Sequence, residues 1–204
     1  MKKFFYAVLA VFAIVPVCGL AQIHIEDDFL EHMTLDWTEF AEKNRSALVQ
    51  NGYIELISKD KERPTAIWTD ELPVISDIDF TVTAEIQVPK LTEDYSFGII
   101  FNRSEHTMKK ELFLISSRNI KFVGSSELAE EEWPIKLPAG KDKTVTVEVK
   151  RVGGKTIISV NDMQAAKFKC AIGSPAFGFW TPGDSSLRVT KVSVDQDTSE
   201  SEMQ

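Results

Sequence analysis

The sequence predicts an all-β fold in which two antiparallel sheets pack face to face as a sandwich, and three observations lead to it. In the stretch 143–169, Val145, Val147 and Val149 alternate with Thr144, Thr146, Glu148 and Lys150. A period of two sends the valines to one face of a strand and the polar residues to the other. Next come two turn dipeptides, Gly153-Gly154 and Asn161-Asp162, with Ile157, Ile158 and Val160 between them. Such dipeptides supply the positive φ angles of tight hairpins, so three strands should run as a meander. Finally, short apolar-rich runs follow one another in quick succession along the chain. A meander with one apolar face is not stable alone in water, and the other strands are the surface that can cover it.

The N-terminus reads as an address. Lys2-Lys3, an apolar run over 4–17 and the small-x-small end Gly19-Leu20-Ala21 have the form of a secretory signal peptide, residues 1–21, with the mature chain starting at Gln22. The apolar run falls short of the roughly 20 residues a membrane-crossing helix needs, and no transmembrane span is expected. Cys18 offers a lipoprotein alternative, although Pro16 and Val17 stand where that signal prefers a small residue. Residues 22–195 suit one sandwich domain, and 196–204 form an acidic, polar tail expected to be disordered. The destination is export, to a periplasm, a cell surface or the medium.

Between these ends the elements follow in order. Phe29, Met33, Trp37 and Phe40 are spaced like one face of a helix, yet Asp27-Asp28 and the threonines fit a loop. The segment 25–40 is therefore read as loop and edge strand. Asn51-Gly52 between 47–50 and 53–58 is a strong hairpin signal. Further strands are expected at 65–69, 79–88, 95–102, 111–116 and 119–124, and 176–181 and 187–194 close the domain. The charged stretches 59–64 and 127–132 read as solvated connectors.

Charge and composition exclude several functions. The formal net charge is −8, and loss of Lys2 and Lys3 with the signal makes the mature chain more acidic still. Nucleic acid and anionic lipid both demand a basic footprint, so neither is an expected partner. Cys170 is the single cysteine left after cleavage, which rules out an internal disulfide and leaves stability to the core. Gly154-Lys155-Thr156 imitates the end of a phosphate-binding loop, but Val149 occupies the position of its first glycine. His24, His32 and His106 show no metal-ligand spacing, and no G-x-S-x-G nucleophile motif occurs. No metal, cofactor or catalytic residue is therefore assigned. Glu93, Asp94 and the acidic run 130–132 keep a two-carboxylate glycosidase open as an alternative, although loop acids are ordinarily solvated.

The aromatic residues point elsewhere. Trp68, Tyr95, Trp133 and Trp180 fall at strand ends or beside loops, where a flat ring can stack on a sugar or anchor a protein. Arg103, with Asn102, ends the strand YSFGIIFN and could add polar contacts. The alternation of Phe177 and Phe179 puts Trp180 on the opposite sheet face. Trp133 follows an acidic run and precedes Pro134, which suggests an extended surface segment. Asn44-Arg45-Ser46 and Asn102-Arg103-Ser104 match the N-glycosylation pattern, relevant only in a eukaryotic host.

The runs DFTVTAEIQV (79–88), FGIIFNR (97–103), ELFLIS (111–116), TVTVEVKRVGGKTIISVND (144–162) and IGSPAFGFWTPGDSSLRVTKVSVDQ (172–196) resemble concanavalin A-like lectin/glucanase domains, in particular the secreted laminin-G-like and DUF1080-type domains of Bacteroidetes. The resemblance covers most of the mature chain and is one of strand rhythm. It implies a two-sheet jelly roll whose concave sheet often holds carbohydrate. The E-x-D-x-E pattern of family-16 glucanases is absent. The expectation is a non-catalytic module that binds a neutral glycan through Trp68, Tyr95, Arg103, Trp133 and Trp180. The alternatives are an atypical glycoside hydrolase and a domain that binds a protein partner in an envelope assembly.

Overall fold

The computed structural model describes residues 22–30, 33–70, 72–74, 79–101, 111–124, 131–168 and 176–197, and among them every regular element is a strand. In chain order these are β1 (Gln22–Asp27), β2 (Phe40–Ala41), β3 (Arg45–Gln50), β4 (Tyr53–Ser58), β5 (Thr65–Thr69), β6 (Phe80–Leu91), β7 (Phe97–Phe101) and β8 (Glu111–Ile115). Then follow β9 (Asn119–Val123), β10 (Glu131–Pro134), β11 (Gly140–Val152), β12 (Lys155–Val160), β13 (Met163–Phe168), β14 (Phe177–Thr181) and β15 (Ser185–Asp197). They form two antiparallel sheets. One has nine strands in the order β13-β12-β11-β6-β15-β4-β3-β2, with β1 also paired to β15; the other has six, in the order β10-β9-β8-β7-β14-β5.

The meander sits where the alternation put it. Val145, Val147 and Val149 are each 1% exposed, and they pair across β6 with Ile86, Ala84 and Val82 on the same inward face. Gly153 and Gly154 have φ of 54° and 70°, and Asn161 and Asp162 have 48° and 61°. Positive φ at both central positions gives the twist that joins two adjacent strands without splaying them. Asn161 adds its own clamp: its side-chain oxygen accepts from Thr146 N–H at 2.9 Å while its N–H donates to the Thr146 carbonyl at 2.8 Å.

The six-stranded sheet answers this aliphatic face with aromatic residues. Phe97, Phe101, Phe113, Phe122, Phe177 and Phe179 all turn inward and join one core cluster with the valines. Phe101 meets Phe177 at 5.1 Å and Phe113 at 6.1 Å between centroids, both edge to face, the arrangement that ring quadrupoles favour. Each buried side chain of this size contributes about 1.5–3 kcal/mol by leaving water. The loop after β1 adds Phe29 and Trp37, and Trp37 stacks on Phe179 at 5.7 Å. These two residues of the helix-like spacing thus enter the core from a loop, while Met33 points to solvent.

Two boundaries differ from expectation. Glu131 and Glu132, read as part of a solvated connector, belong to edge strand β10, because their backbone finds the free edge of β9. β15 runs on to Asp197, into the stretch read as a disordered tail. It does so because β1 pairs with it over its whole length, from Gln22 opposite Asp197 to Asp27 opposite Val192. The polar residues there are held by backbone pairing rather than by burial of apolar side chains.

Truncating Val147 to alanine removes buried methyls from the central pair of strands. We expect a loss of about 1–3 kcal/mol, read as a lower denaturant midpoint with an unchanged slope. A midpoint equal to wild type would place this valine in water.

Candidate functional site

Because inward and outward residues alternate, the core fixes what the outer face of the six-stranded sheet displays. With Phe177 and Phe179 inside, Gly178 and Trp180 face out; with Ile67 inside, Ala66 and Trp68 face out. Register then sets two cross-strand rows. One runs Ala66, Trp180, Gly98, Leu114, Lys121, Glu132, and the other Trp68, Gly178, Ile100, Leu112, Val123. Trp68 lies opposite Gly178, so Trp68 and Trp180 are diagonal neighbours, within reach of each other's rings. Both indoles are half-buried.

The glycine between them is a matter of space. A Cβ on Gly178 would lie 2.3 Å from the Ile67 carbonyl oxygen and 2.7 Å from the Trp68 Cβ, so only glycine lets β5 and the foot of Trp68 come this close. Gly98, beside Trp180, makes room for its neighbours: a Cβ there would lie 2.8 Å from Leu112 Cδ1 and 3.4 Å from Leu114 Cδ2. Ile100 and Leu112 are buried on this outer face, outside the main core cluster, which gives the face a covered apolar strip of its own. At the far end of the first row, Tyr95 O–H donates to Glu132 Oε1 at 2.9 Å. From Trp180 on β14 to Glu132 on β10 is four strand spacings, about 19 Å. An aromatic start and a polar end therefore lie on one face of the sheet, with leucine side chains between them.

Not all the residues expected at the site are found on it. Trp68, Trp180 and, through Glu132, Tyr95 are brought to the outer face. Trp133 goes the other way. It pairs with the inward Ile120 and packs, half-buried, against the core, so it seals the edge of the sandwich. Its parity is opposite to that of Glu132, which a surface segment read from Pro134 and the acidic run did not reveal. Arg103, Asn102 and Cys170 lie outside the described residues. The sequence reading missed Leu114 and Lys121, which stand between the aromatic end and Glu132; strand parity alone could have found them once the register was known.

The outer face of the nine-stranded sheet has a different character. Threonines and charged residues cover it, and Arg188 lies over the Tyr53 ring at 4.8 Å while donating to Glu55 at 2.9 Å. The Glu55 carboxylate beside it raises the pKa of the Arg188 guanidinium further above its ordinary value. The one ring on β4 is thereby capped by a cation. A depression of about 450 Å³ on this face is lined by Glu55, Gln87, Thr144 and Arg188 among others.

Comparison with solved structures now places the architecture. The exoplasmic/lumenal domain of VIP36, in a form bound to Ca²⁺ and mannose, superposes with a TM-score of 0.60 at 11% identity, over 84% of this chain and 88% of that one. The shared fold is an antiparallel β-sandwich of two sheets. Carbohydrate-binding module CBM66 from Bacillus subtilis matches with a TM-score of 0.53 at 16% identity, over 78% of this chain and 96% of the module. A GH43 protein, BlXynB from Bacillus licheniformis, matches with a TM-score of 0.57 at 12% identity, and there the sandwich spans 39% of the longer chain. No family model matches this chain, and no curated protein matches it by sequence. At these identities the likeness is one of fold.

The placement of Trp133 yields a test. Trp133→Ala is expected to lower stability by about 2 kcal/mol or more, through loss of ring burial at the sandwich edge. Thermal or denaturant unfolding measures it; an unchanged midpoint would mean that the ring does not seal that edge.

Proposed function

We propose that the mature chain is an exported, non-catalytic carbohydrate-binding domain, and that a neutral glycan lies along the outer face of the six-stranded sheet. One observation carries this: Trp68 and Trp180 are held half-exposed as diagonal neighbours on a sheet face whose row ends at Lys121 and Glu132, the latter bonded to Tyr95. Indole rings offer the apolar face of a sugar a flat partner, and the polar end offers donors and acceptors to its hydroxyls. The acidic net charge of the chain does not oppose a neutral ligand. The length of the row suits a short oligosaccharide better than a single sugar.

Three further points support the reading. Domains of the same fold include a carbohydrate-binding module and the VIP36 exoplasmic/lumenal domain in its mannose-bound form. Among the described residues no helix is long and apolar enough to cross a membrane. Within this fold, the strand rhythm resembles that of the laminin-G-like and DUF1080-type secreted domains.

The test is titration calorimetry against plant and host glycans, with wild type and Trp180→Ala compared at matched stability. Loss of the stacking surface should weaken binding about tenfold or more, roughly 1.5 kcal/mol, with the melting midpoint nearly unchanged. Equal affinity in the variant would move the site off this face. Release of smaller sugars during the titration would replace the binding module with a hydrolase.

A further inference from the structure

The polar end of the outer row is built on a fixed loop. Between β6 and β7, Thr92 N–H donates to Ser96 Oγ at 3.1 Å and Ser96 N–H donates to the Ile115 carbonyl at 2.9 Å, while Ser117 N–H donates to the Thr92 carbonyl at 2.7 Å. Ser96 and Ser117 are both buried. Tyr95, next to Ser96, is carried by this loop, and its O–H donates to Glu132 Oε1 at 2.9 Å. The strand that bears Glu132 is pinned as well. β10 pairs with β9 along its length, and just beyond its end Ile135 N–H donates to the Arg118 carbonyl at 2.6 Å.

Glu132 is exposed, and among the described residues its carboxylate has one hydrogen-bond partner, Tyr95. Oε2 is left as a bare acceptor. An ionised carboxylate only accepts and a sugar hydroxyl can donate, so the two match. A free surface glutamate would lose rotamer freedom on meeting a ligand. Here Tyr95 already holds the carboxylate, so less freedom is lost on binding.

We infer that Glu132, positioned by Tyr95, is the far anchor of the glycan row, and that the row thereby selects for length, favouring a neutral oligosaccharide of about five rings over shorter ones. The inference rests on the reading of this face as a glycan platform. Its arithmetic is that of the sheet. Glu132 stands four strand spacings from Trp180, about 19 Å, and an extended β-linked pyranose chain advances by close to one such spacing per ring. With one ring over Trp180, the fifth comes to Glu132. A trisaccharide held at Trp180 ends over Leu114 on β8 and does not reach the carboxylate. A hydrogen bond to a charged group then adds affinity only for chains long enough to make it.

The experiment is calorimetry with cello-, manno- and xylo-oligosaccharides, each from disaccharide to hexasaccharide. The proteins compared are wild type, Glu132→Ala, Tyr95→Phe and Trp180→Ala, with melting curves to show that each variant folds. In the series that binds, wild-type affinity is expected to rise about tenfold or more from trisaccharide to pentasaccharide, the scale of one hydrogen bond to a charged group, and to level off at the hexasaccharide. Glu132→Ala should flatten that rise and leave the trisaccharide as in wild type. Tyr95→Phe, which keeps the ring and removes the O–H, should flatten it in part, and Trp180→Ala should weaken every length. A lower melting midpoint in Tyr95→Phe with the length dependence intact would make Tyr95 a structural residue and overturn its positioning role. A trisaccharide that binds wild type as tightly as the pentasaccharide, or a rise that survives in Glu132→Ala, would overturn the anchor; if Trp180→Ala still loses binding, the platform stands. Absence of binding by every oligosaccharide would overturn anchor and platform together.

Discussion

Neither sheet of this sandwich is able to cover its own apolar face, and the structure follows from how the two faces meet. The nine-stranded sheet brings aliphatic residues, Val82, Ala84, Ile86, Val145, Val147, Val149 and Val189, all buried. The six-stranded sheet brings phenylalanines, which interlock with them and with one another. A slip of one residue in any strand would exchange its inner and outer sets, so the demand for burial pins the register. The outer surface is then no longer free to vary. Trp180 points outward because Phe177 and Phe179 point inward, and Glu132 is outward because Trp133 is not. The candidate binding face is in this sense the reverse side of the core.

The two outer faces nevertheless differ, and the difference decides between them as ligand surfaces. On the nine-stranded sheet, threonines, glutamates and lysines alternate, Lys191 pairs with Glu26 at 2.8 Å, and Tyr53 is capped by Arg188. Exposed pairs of this kind contribute little to stability and keep the face solvated. On the six-stranded sheet, two half-exposed indoles offer area to a ligand that carries both an apolar face and hydroxyls. Solved domains of this fold include a carbohydrate-binding module, the VIP36 exoplasmic/lumenal domain and part of a GH43 protein. Fold alone therefore does not choose between binding and hydrolysis; the choice rests on the groups the face presents.

How much of this could be read from sequence depends on how local the cause is. The meander was legible because alternation and turn dipeptides act within a few residues, and its valines are buried as the period requires. The outward placement of Trp180 was legible for the same reason. β10 was not, since an edge strand of Glu-Glu-Trp-Pro carries no apolar alternation and forms only because β9 has a free edge. The extension of β15 depends on β1, which lies at the other end of the chain. Asp27 gave no signal at all: a buried acid whose partners are the backbone N–H groups of Thr34 and Leu35 looks like any loop aspartate. The bond from Tyr95 to Glu132 spans 37 residues of sequence, a contact that no local pattern announces.

The central claim is that one sheet face binds the ligand, and the four tryptophans report on it from different places. Indole N–H resonances of ¹⁵N-labelled protein, assigned by single Trp→Phe variants, can be followed while the tightest-binding neutral oligosaccharide is added. Trp68 and Trp180 are expected to shift together with saturation, while Trp133, turned toward the core, holds its position. Saturable shifts at Trp133 with Trp68 and Trp180 unmoved would contradict the claim and transfer the binding site to the edge of the sandwich.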